Sequence, residues 1–399
     1  MIDPGQVEDD FRLMWRELLP VGRHGTTGGY RRHAWTAADA DCRAWFEEQA
    51  RRRGLTYEVD RNGNQWAWWG DPAAGGAVVT GSHLDSVPDG GAYDGPLGVI
   101  SAFAALDALR ARGVTGGRPL AIGNFSDEEG ARFGVACVGS RLMTGVLDPG
   151  QARELKDDRG VTLGTAMERA GHDPDAIGRD DDRLARVAAF VELHVEQGRN
   201  LGDAQVGVAS SIWPHGRWRF DFQGQANHAG TTRLEDRHDP MLAFAAAVLK
   251  ARGQAERAGA LATFGKVSVE PNGTNAIPSR VTAWLDSRAP DAATLDMLVK
   301  EITHESRATV TRESYTPLVE FDGRLRDHLV GLLGGVPVLP TGAGHDAGIL
   351  ASALPTAMLF VRNPTGASHC PDEHAEEADC LAGVAALAHV LEDLLREAA

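Results

Sequence analysis

What this sequence lacks excludes several classes of protein. The four cysteines, Cys42, Cys137, Cys370 and Cys380, include no CxxC pair and no disulfide-like spacing, which favours a reducing compartment. No apolar run approaches the ~20 residues that a membrane span needs, and the polar N-terminus, Met-Ile-Asp-Pro-Gly, does not resemble a secretory signal. We therefore expect a cytoplasmic protein without a membrane partner.

Positive charge and nucleotide-binding motifs are also scarce. The formal net charge of −16 argues against nucleic acid or an anionic membrane as the main partner. Neither GxGxxG nor GxxxxGKS/T occurs in the strand–helix context that would indicate a nucleotide-dependent enzyme. If this acidic protein binds an anionic substrate, its site needs a local cation.

The rest of the composition is that of a globular protein, with 43% hydrophobic and 24% charged residues among 399. This length favours two domains over one. Apolar runs that predict buried strands alternate with patterns that predict helices. The strand runs are 77–85, 120–130, 188–198 and 356–361, and the helical patterns are 97–112 and 376–397. The alternation indicates an α/β domain, residues 1–209 plus 319–399, with helices on both faces of its sheet.

The middle of the chain has a different pattern. A strand with alternating polar and apolar residues at 217–225 precedes a helix from Met241 to about 252. Strands at 261–269 and 280–288 and a helix at 291–302 follow. This order is typical of a split βαβ, ferredoxin-like unit. We therefore predict a smaller α+β domain, residues 210–318, inserted into an α/β/α domain.

Histidines and acidic residues cluster where the predicted strands end. The clusters contain, in chain order, His83 and Asp85; Asp94; Asp127, Glu128 and Glu129; Glu192, His194 and Glu196; and His369. Taken singly, each has an ordinary explanation as a buried structural histidine, a solvated acidic pair or a helix cap. Together they lie where an open α/β sheet binds ligands, at the carboxyl ends of strands. Since imidazoles and carboxylates bind zinc, manganese and cobalt, the pattern predicts a metal site.

A pair of metal ions explains the number of these residues. Two ions ~3.5–4 Å apart share a carboxylate, are completed by His and further carboxylates, and activate a water between them. In the pair Glu128–Glu129, one carboxylate can bind metal while the other acts as general base. Asp85 can accept the second imidazole N–H of His83 and fix its tautomer.

These motifs resemble the amidase branch of the di-zinc metallopeptidase clan, the hydantoinase/carbamoylase family. Its most similar members are allantoate amidohydrolases and N-carbamoyl-L-amino acid hydrolases, with β-ureidopropionase as a relative. The motifs are GSHLDSV, GGAYDGPLGV, DEEGARFG, ELHVEQG, NHAGTT, GAGHDA and SHCPDE. The resemblance implies a di-metal, aminopeptidase-like catalytic domain with an inserted dimerisation or lid domain. It also implies a homodimer and two divalent ions per chain, zinc or manganese, with cobalt or nickel as alternatives.

The resemblance also assigns roles to residues. It implies that Asp94 bridges the metals, that Glu128 is the catalytic base, and that His228, reaching in from a dimer partner, stabilises the oxyanion. Asn275 and Arg288 match positions that hold a substrate carboxylate; without the resemblance, Arg288 reads as a surface charge. The implied ligands are His83, Asp94 and His194 for one metal and Asp94, Glu129 and His369 for the other, with Gln197 and His345 as further pocket residues.

The reaction implied is hydrolysis of a C–N bond, other than a peptide bond, in a small anionic ureido acid. Allantoate, a substrate of purine catabolism, is the first candidate, and an N-carbamoyl-L-amino acid or N-carbamoyl-β-alanine is the alternative. Departures from the family pattern leave the substrate open: RLEDRHD follows NHAGTT, Ser279 replaces a common glycine, and His374 replaces an arginine or an aromatic residue. A dipeptidase or aminoacylase, and a non-catalytic binding protein that keeps the fold, are the remaining alternatives.

Overall fold

The computed structural model describes residues 4–115 and 117–396 of the chain. These residues form two units. The larger unit contains the chain up to Ser210, then Glu320–Leu339 and the chain from Gly344 onward, and the smaller unit contains Ser211–Val319 and Pro340–Ala343. The smaller unit therefore interrupts the larger one along the sequence. The roles predicted for the two domains stay predictions.

Helices and strands alternate along most of the chain. The helices are α1 (Pro4–Leu18), α2 (Ala37–Arg52), α3 (Pro96–Ala111), α4 (Val138–Thr144), α5 (Pro149–Glu154), α6 (Leu163–Arg169), α7 (Asp181–Leu184), α8 (Pro240–Ala258), α9 (Ala292–Ser306), α10 (Gly323–Leu332), α11 (Asp346–Leu350) and α12 (Glu377–Arg396). The strands are β1 (Thr56–Val59), β2 (Gln65–Trp69), β3 (Ala77–His83), β4 (Leu120–Phe125), β5 (Val187–Val195), β6 (Val206–Ile212), β7 (His215–Gln223), β8 (Asn227–His228), β9 (Leu261–Glu270), β10 (Ala276–Ile277), β11 (Arg280–Arg288), β12 (Thr309–Thr316), β13 (Val319–Glu320), β14 (Val338–Thr341) and β15 (Thr356–Val361).

The main sheet has the strand order β1-β2-β4-β3-β5-β15-β6-β13, with β14 also paired to β6. Its central strands β4, β3, β5 and β15 run parallel to one another. They are buried along nearly their whole length. Because helices cover both faces of such a sheet, its strands are continuous apolar runs rather than alternating ones. The predicted α/β fold is confirmed.

Two helices of the larger unit show why the sequence folds this way. Helix α3 is buried along most of its length, since it packs between the sheet and helices α1 and α12. Helix α12 is amphipathic: Val384, Leu387, Leu391 and Leu394 recur at three- and four-residue spacing and are all buried. Burying each such leucine contributes about 1.5–3 kcal/mol. Among the described residues, no helix has the length and apolar character needed to cross a lipid bilayer.

The smaller unit contains an antiparallel sheet in the order β12-β7-β11-β9. Helices α8 and α9 pack together and against this sheet. Its core includes Phe220 and Phe222 of β7, Leu285 of β11 and Leu295 of α9. In chain order the strands are β7, β9, β11 and β12, and this arrangement, with a helix after the first and third of them, is the predicted ferredoxin-like one. The sequence analysis missed β12, whose residues are mostly polar and exposed.

Candidate active site

Four parallel strands bring the predicted residues to one edge of the main sheet. Strand β3 ends at His83, which pairs in register with Phe125 at the end of β4. On β5, His194 pairs with Phe360 near the end of β15. Because parallel strands share one direction, the segments that follow them begin at the same edge. These segments carry Asp94, Glu128–Glu129 and His369.

Asp94 lies between two groups of candidate metal ligands. Its Oδ1 is 3.1 Å from Nε2 of His194 and 3.5 Å from Nε2 of His83. Its Oδ2 is 3.2 Å from Nε2 of His369, which is itself 3.7 Å from Oε2 of Glu129. In each group one ligand atom per residue lies within 4.8 Å of the others. One carboxylate therefore faces both of the ligand sets that the family resemblance implied.

The two buried imidazoles are oriented to bind a cation. Nδ1 of His194 lies 2.8 Å from the carbonyl oxygen of Val195, and Nδ1 of His83 lies 3.2 Å from that of Asp85. Since a carbonyl oxygen only accepts, each Nδ1 carries a donor hydrogen, which leaves Nε2, the nitrogen that faces Asp94, to bind a cation when the ring is neutral. Both Nε2 atoms are buried and have no hydrogen-bond partner among the described residues. These donor atoms fit a divalent metal ion.

The electrostatics of the cluster also favour positive charge. Burial opposes a charged imidazole, yet Glu128, Asp85 and Asp94 raise the pKa of His83 well above its usual value. Burial likewise acts against His369, but Asp94 and Glu129 raise its pKa to about 9. Burial and then the charge of Asp94 raise the pKa of Glu129 to about 7. A bound dication would relieve the repulsion among these carboxylates.

The acidic pair after β4 is held by Asp85. The two carboxylate oxygens of Asp85 accept the backbone N–H groups of Glu128 and Glu129, each at 3.1 Å. The imidazole of His83 lies farther from this carboxylate, at 3.5 Å, than from the backbone carbonyl of Asp85. The sequence analysis predicted that the carboxylate of Asp85 accepts the second imidazole N–H of His83, but the backbone carbonyl of Asp85 is the nearer acceptor, and the carboxylate orients the acidic pair.

Glu128 lies beside the metal-ligand groups without belonging to them. Its Oε2 is 3.7 Å from Nε2 of His83, and within the described residues Glu128 belongs to neither of these two groups. Burial raises its pKa well above the usual range, and the negative charge of Asp346 adds to the effect. A buried carboxylate with a raised pKa next to a metal site suits proton transfer.

Gln197 and His345 both lie next to this cluster. Gln197 donates from Nε2 to Oδ2 of Asp94 at 2.7 Å. The ring centroid of His345 is 4.4 Å from that of His194, and burial lowers the pKa of His345 well below its usual value. His345 is therefore a neutral ring in contact with a candidate ligand. It also forms a third ligand group with Glu192 and His194, but Ser82 and the N–H of Ala347 already donate to Glu192.

Glu373 is a site residue to which the sequence analysis gave no role. Its Oε1 accepts the backbone N–H groups of Tyr93 and Asp94 at 2.8 and 2.9 Å. It thereby fixes the loop that carries Asp94. The signal was its place in the SHCPDE motif, four residues after His369.

The residues assigned to the substrate lie in the smaller unit. His228 pairs with Ala276 between β8 and β10, and the carbonyl of Asn275 accepts the N–H of Ala229. Nδ1 of His228 accepts the N–H of Gly230 at 2.9 Å, so its exposed Nε2 carries the donor hydrogen. Arg288 donates from Nε and Nη2 to the carboxylate of Asp286 and from Nη1 to the carbonyl of Gly342. A substrate carboxylate would therefore compete with Asp286 for this guanidinium.

Comparison with known sequences relates most of the chain to one family of hydrolases. Residues 79–393 match the model of peptidase family M20/M25/M40. The N-carbamoyl-L-amino acid amidohydrolase of Geobacillus stearothermophilus is 35% identical over 95% of this chain and 97% of its own length. The allantoate amidohydrolase of Bacillus subtilis is 32% identical over 91% of this chain and 92% of its own.

Solved structures give the same relationship. An amidase of the hydantoinase/carbamoylase family from Burkholderia multivorans has a TM-score of 0.84 and 30% identity, covering 98% of each chain. AtUAH in complex with glyoxylate has a TM-score of 0.86 and 27% identity, also covering 98% of each chain. Both similarities extend over nearly the entire length, so they include both units.

Proposed function

Because the chain belongs to peptidase family M20/M25/M40 and is an amidohydrolase of C–N bonds other than peptide bonds, we propose that it cleaves the carbamoyl C–N bond of a small anionic ureido acid. Its similarity to hydantoinase/carbamoylase amidases confirms the resemblance inferred from the motifs. Allantoate is the first candidate substrate and an N-carbamoyl-L-amino acid the second, since relatives named for each are similarly identical, at 32% and 35%. The observation that carries the proposal is the position of Asp94 between two ligand groups, with Glu128 beside them.

The proposed metal ligands divide into two sets around Asp94. His83 and His194 would complete one site, and Glu129 and His369 the other. Zinc or manganese suits these nitrogen and oxygen donors, and cobalt or nickel is an alternative. When bound, the ions would polarise the carbonyl of the substrate and lower the pKa of water in the site. The two unpartnered Nε2 atoms support this assignment.

Glu128 moves the proton in this proposal. Its Oε2 accepts a proton from the attacking water and returns it to the nitrogen that leaves the carbamoyl carbon. Asp85 keeps the backbone of Glu128 in place during both transfers, and Glu373 keeps that of Asp94 in place. The carbamate that results breaks down to ammonia and carbon dioxide. Burial of Glu128 supports the role, because a desolvated carboxylate holds a proton more readily than an exposed one.

We assign the oxyanion and the substrate carboxylate to residues of the smaller unit. The Nε2–H of His228 is an exposed donor that can stabilise negative charge on the carbonyl oxygen. Arg288 and Asn275 are proposed to hold the substrate carboxylate, with the guanidinium exchanging Asp286 for the substrate. This provides the local cation that an acidic protein needs for an anionic ligand. The glyoxylate complex of AtUAH, which contains a small anionic ligand, supports this class of substrate.

An exposed apolar face supports the proposed homodimer. Leu242 and Leu249 of α8 are 71% and 75% exposed, and their spacing places them on one side of the helix. Leu261 of β9, the edge strand of the four-stranded sheet against which α8 packs, is 56% exposed. Within the part of the chain that the structure describes, β9 pairs on one side only, and an edge strand beside an apolar helix face suits association with a second copy of the chain. The four free cysteines fit the proposed cytoplasmic location.

An activity screen tests the substrate proposal. Metal-loaded protein is incubated with allantoate, N-carbamoyl-L-amino acids, N-carbamoyl-β-alanine and a dipeptide, and released ammonia or amine is measured. We expect ammonia from a ureido acid and about two metal ions per chain. Glu128→Gln should lower kcat by at least about 10³-fold with metal content unchanged, whereas the matched exposed control Glu301→Gln should have no effect. Turnover of the dipeptide alone would replace the ureido proposal with a peptidase.

Light scattering tests the dimer proposal. Leu249→Asp should shift the protein from dimer to monomer, and Val146→Asp, which alters an exposed valine of the larger unit, should leave it dimeric. If His228 acts across the dimer, the monomer should lose activity. A monomer with full activity would contradict that role.

A further inference from the structure

Cys137 contacts the proposed base through both its backbone and its side chain. Its N–H donates to the carbonyl oxygen of Glu128 at 2.6 Å, and its Sγ lies 3.4 Å from Oε1 of the same residue. The other carboxylate oxygen, Oε2, is the one that faces His83. The two oxygens of Glu128 therefore have separate environments, a thiol on one side and the metal-ligand cluster on the other.

The backbone around Cys137 places the thiol firmly. Cys137 precedes α4 in the left-handed conformation, with φ of 56° and ψ of 40°. The next two N–H groups, of Val138 and Gly139, donate to the carbonyls of Asp127 and Ser126. The backbone N–H groups of residues 137–139 thus donate, in reverse order, to the carbonyl oxygens of residues 126–128. This contact between two backbone segments fixes the direction of the Cα–Cβ bond of Cys137 relative to the backbone of Glu128.

The thiol is in a state that can donate. Cys137 is buried, at 3% exposure, and burial together with the negative charge of Glu128 raises its pKa well above the usual value. It therefore keeps its hydrogen, so it is neither a thiolate nucleophile nor a thiolate metal ligand. A protonated thiol next to a carboxylate oxygen is a weak hydrogen-bond donor.

From these contacts we infer that Cys137 is a positioning residue, whose S–H holds Oε1 of Glu128 so that Oε2 stays directed at the reacting water. The inference rests on the proposed role of Glu128 as the base. The carboxylate of a glutamate turns easily about its last torsion. A single donor on Oε1 restricts that rotation without neutralising Oε2. Because the thiol contacts the base and not the substrate, its removal should affect kcat and leave KM unchanged.

Two substitutions at position 137 separate positioning from simple packing. Cys137→Ala removes the donor and should lower kcat about tenfold, the lower end of the range for one hydrogen bond to a charged group, because a thiol is a weak donor. Cys137→Ser keeps a donor of shorter reach and should recover kcat to within about threefold of the wild type. Both variants should keep the wild-type KM and metal content. Cys42→Ala, which removes a buried thiol from the core of the larger unit, is the matched control and should keep kcat.

Infrared spectroscopy measures the contact without requiring activity. The S–H stretching band that disappears in Cys137→Ser should change frequency in Glu128→Gln, since an amide oxygen accepts more weakly than a carboxylate. An unshifted band would overturn the inference. So would a Cys137→Ala enzyme with more than half of the wild-type kcat, or a serine variant no faster than the alanine one. If Glu128→Gln itself remains active, the assignment of the base fails instead.

Discussion

Gly95 occupies a position that only glycine fits, and replacing it tests the geometry of the metal site. Its φ is +83°, and a Cβ built there would lie 2.5 Å from Cε1 and 2.6 Å from Nδ1 of His83, and 2.6 Å from the carbonyl oxygen of that residue. Gly95→Ala must therefore displace the His83 imidazole, the backbone of β3, or the turn that carries Asp94. Each of these movements changes the position of His83 relative to Asp94.

The loss of stability expected in Gly95→Ala has a backbone contribution and a packing contribution. A left-handed backbone costs a residue with a Cβ about 1–2 kcal/mol, and Gly95, with φ of 83° and ψ of −59°, lies outside even that region, so its backbone cost is larger. Overpacking against His83 adds about 1–3 kcal/mol. Gly113, at the other end of α3, has φ of +72°, and a Cβ there meets no atom within 4 Å among the described residues. Gly113→Ala should therefore carry a backbone cost without a clash. The difference between the two variants measures the clash with His83 together with the additional backbone strain at Gly95, where ψ is −59°.

Metal affinity and turnover are the decisive assays for these two variants. Competition with a chromophoric chelator should show metal affinity reduced about 10–100-fold in Gly95→Ala, as for other changes that reorient a ligand, with kcat reduced in parallel. Gly113→Ala should bind metal and turn over like the wild type. If Gly95→Ala binds both ions normally and stays active, His83 is not placed as described, and the ligand assignment fails.

Three further outcomes are expected. Asp85→Asn should lower kcat about 10–100-fold, because an amide can replace only one of the two oxygen acceptors that bind the N–H groups of Glu128 and Glu129. Steady-state kinetics with metal analysis measures this effect. An unchanged kcat would exclude the orienting role of Asp85. Burial raises the pKa of Asp39 to about 6, so between pH 4 and 6 the folded state retains a proton that the unfolded state loses. The free energy of unfolding of the wild type relative to Asp39→Asn should therefore fall by about 2–3 kcal/mol over this range. If the free energies of unfolding of the two proteins change in parallel with pH, the prediction is wrong. A metal ion at about 100 times its dissociation constant should stabilise the protein by about 2.7 kcal/mol per site over the chelated form, and calorimetry should show a smaller gain in His83→Ala.

The sequence was sufficient to predict the ends of the parallel strands. His83 and His194 follow apolar runs, and parallel strands necessarily bring such ends together. Glu373 could not be given its role in the same way, because its contact with the Asp94 loop depends on the path of the chain between β15 and α12. The contact between Arg288 and Asp286 was available from the sequence, since residues two apart lie on the same face of a strand.

Several elements near the N-terminus were also missed. Helices α1 and α2 and strands β1 and β2 lie in the N-terminal region that the sequence analysis left unassigned. Much of α2 is charged, and its buried positions include Asp39 and Gln49, so its hydrophobic period is faint. Tertiary contacts, rather than the local hydrophobic pattern, determine the secondary structure of such segments.

The two ligand sets of the proposed metal centre differ in how firmly the protein holds them. His83 and His194 are fully buried at the ends of two central strands, so their movement would require the sheet itself to deform. His369 stands on an irregular segment with φ of 56°, and half of its side chain is open to solvent. An ion held by His369 and Glu129 should consequently exchange with bulk solution sooner than its neighbour. On treatment with a chelator, the enzyme would then pass through a one-metal state in which the ion held by His83 and His194 is retained.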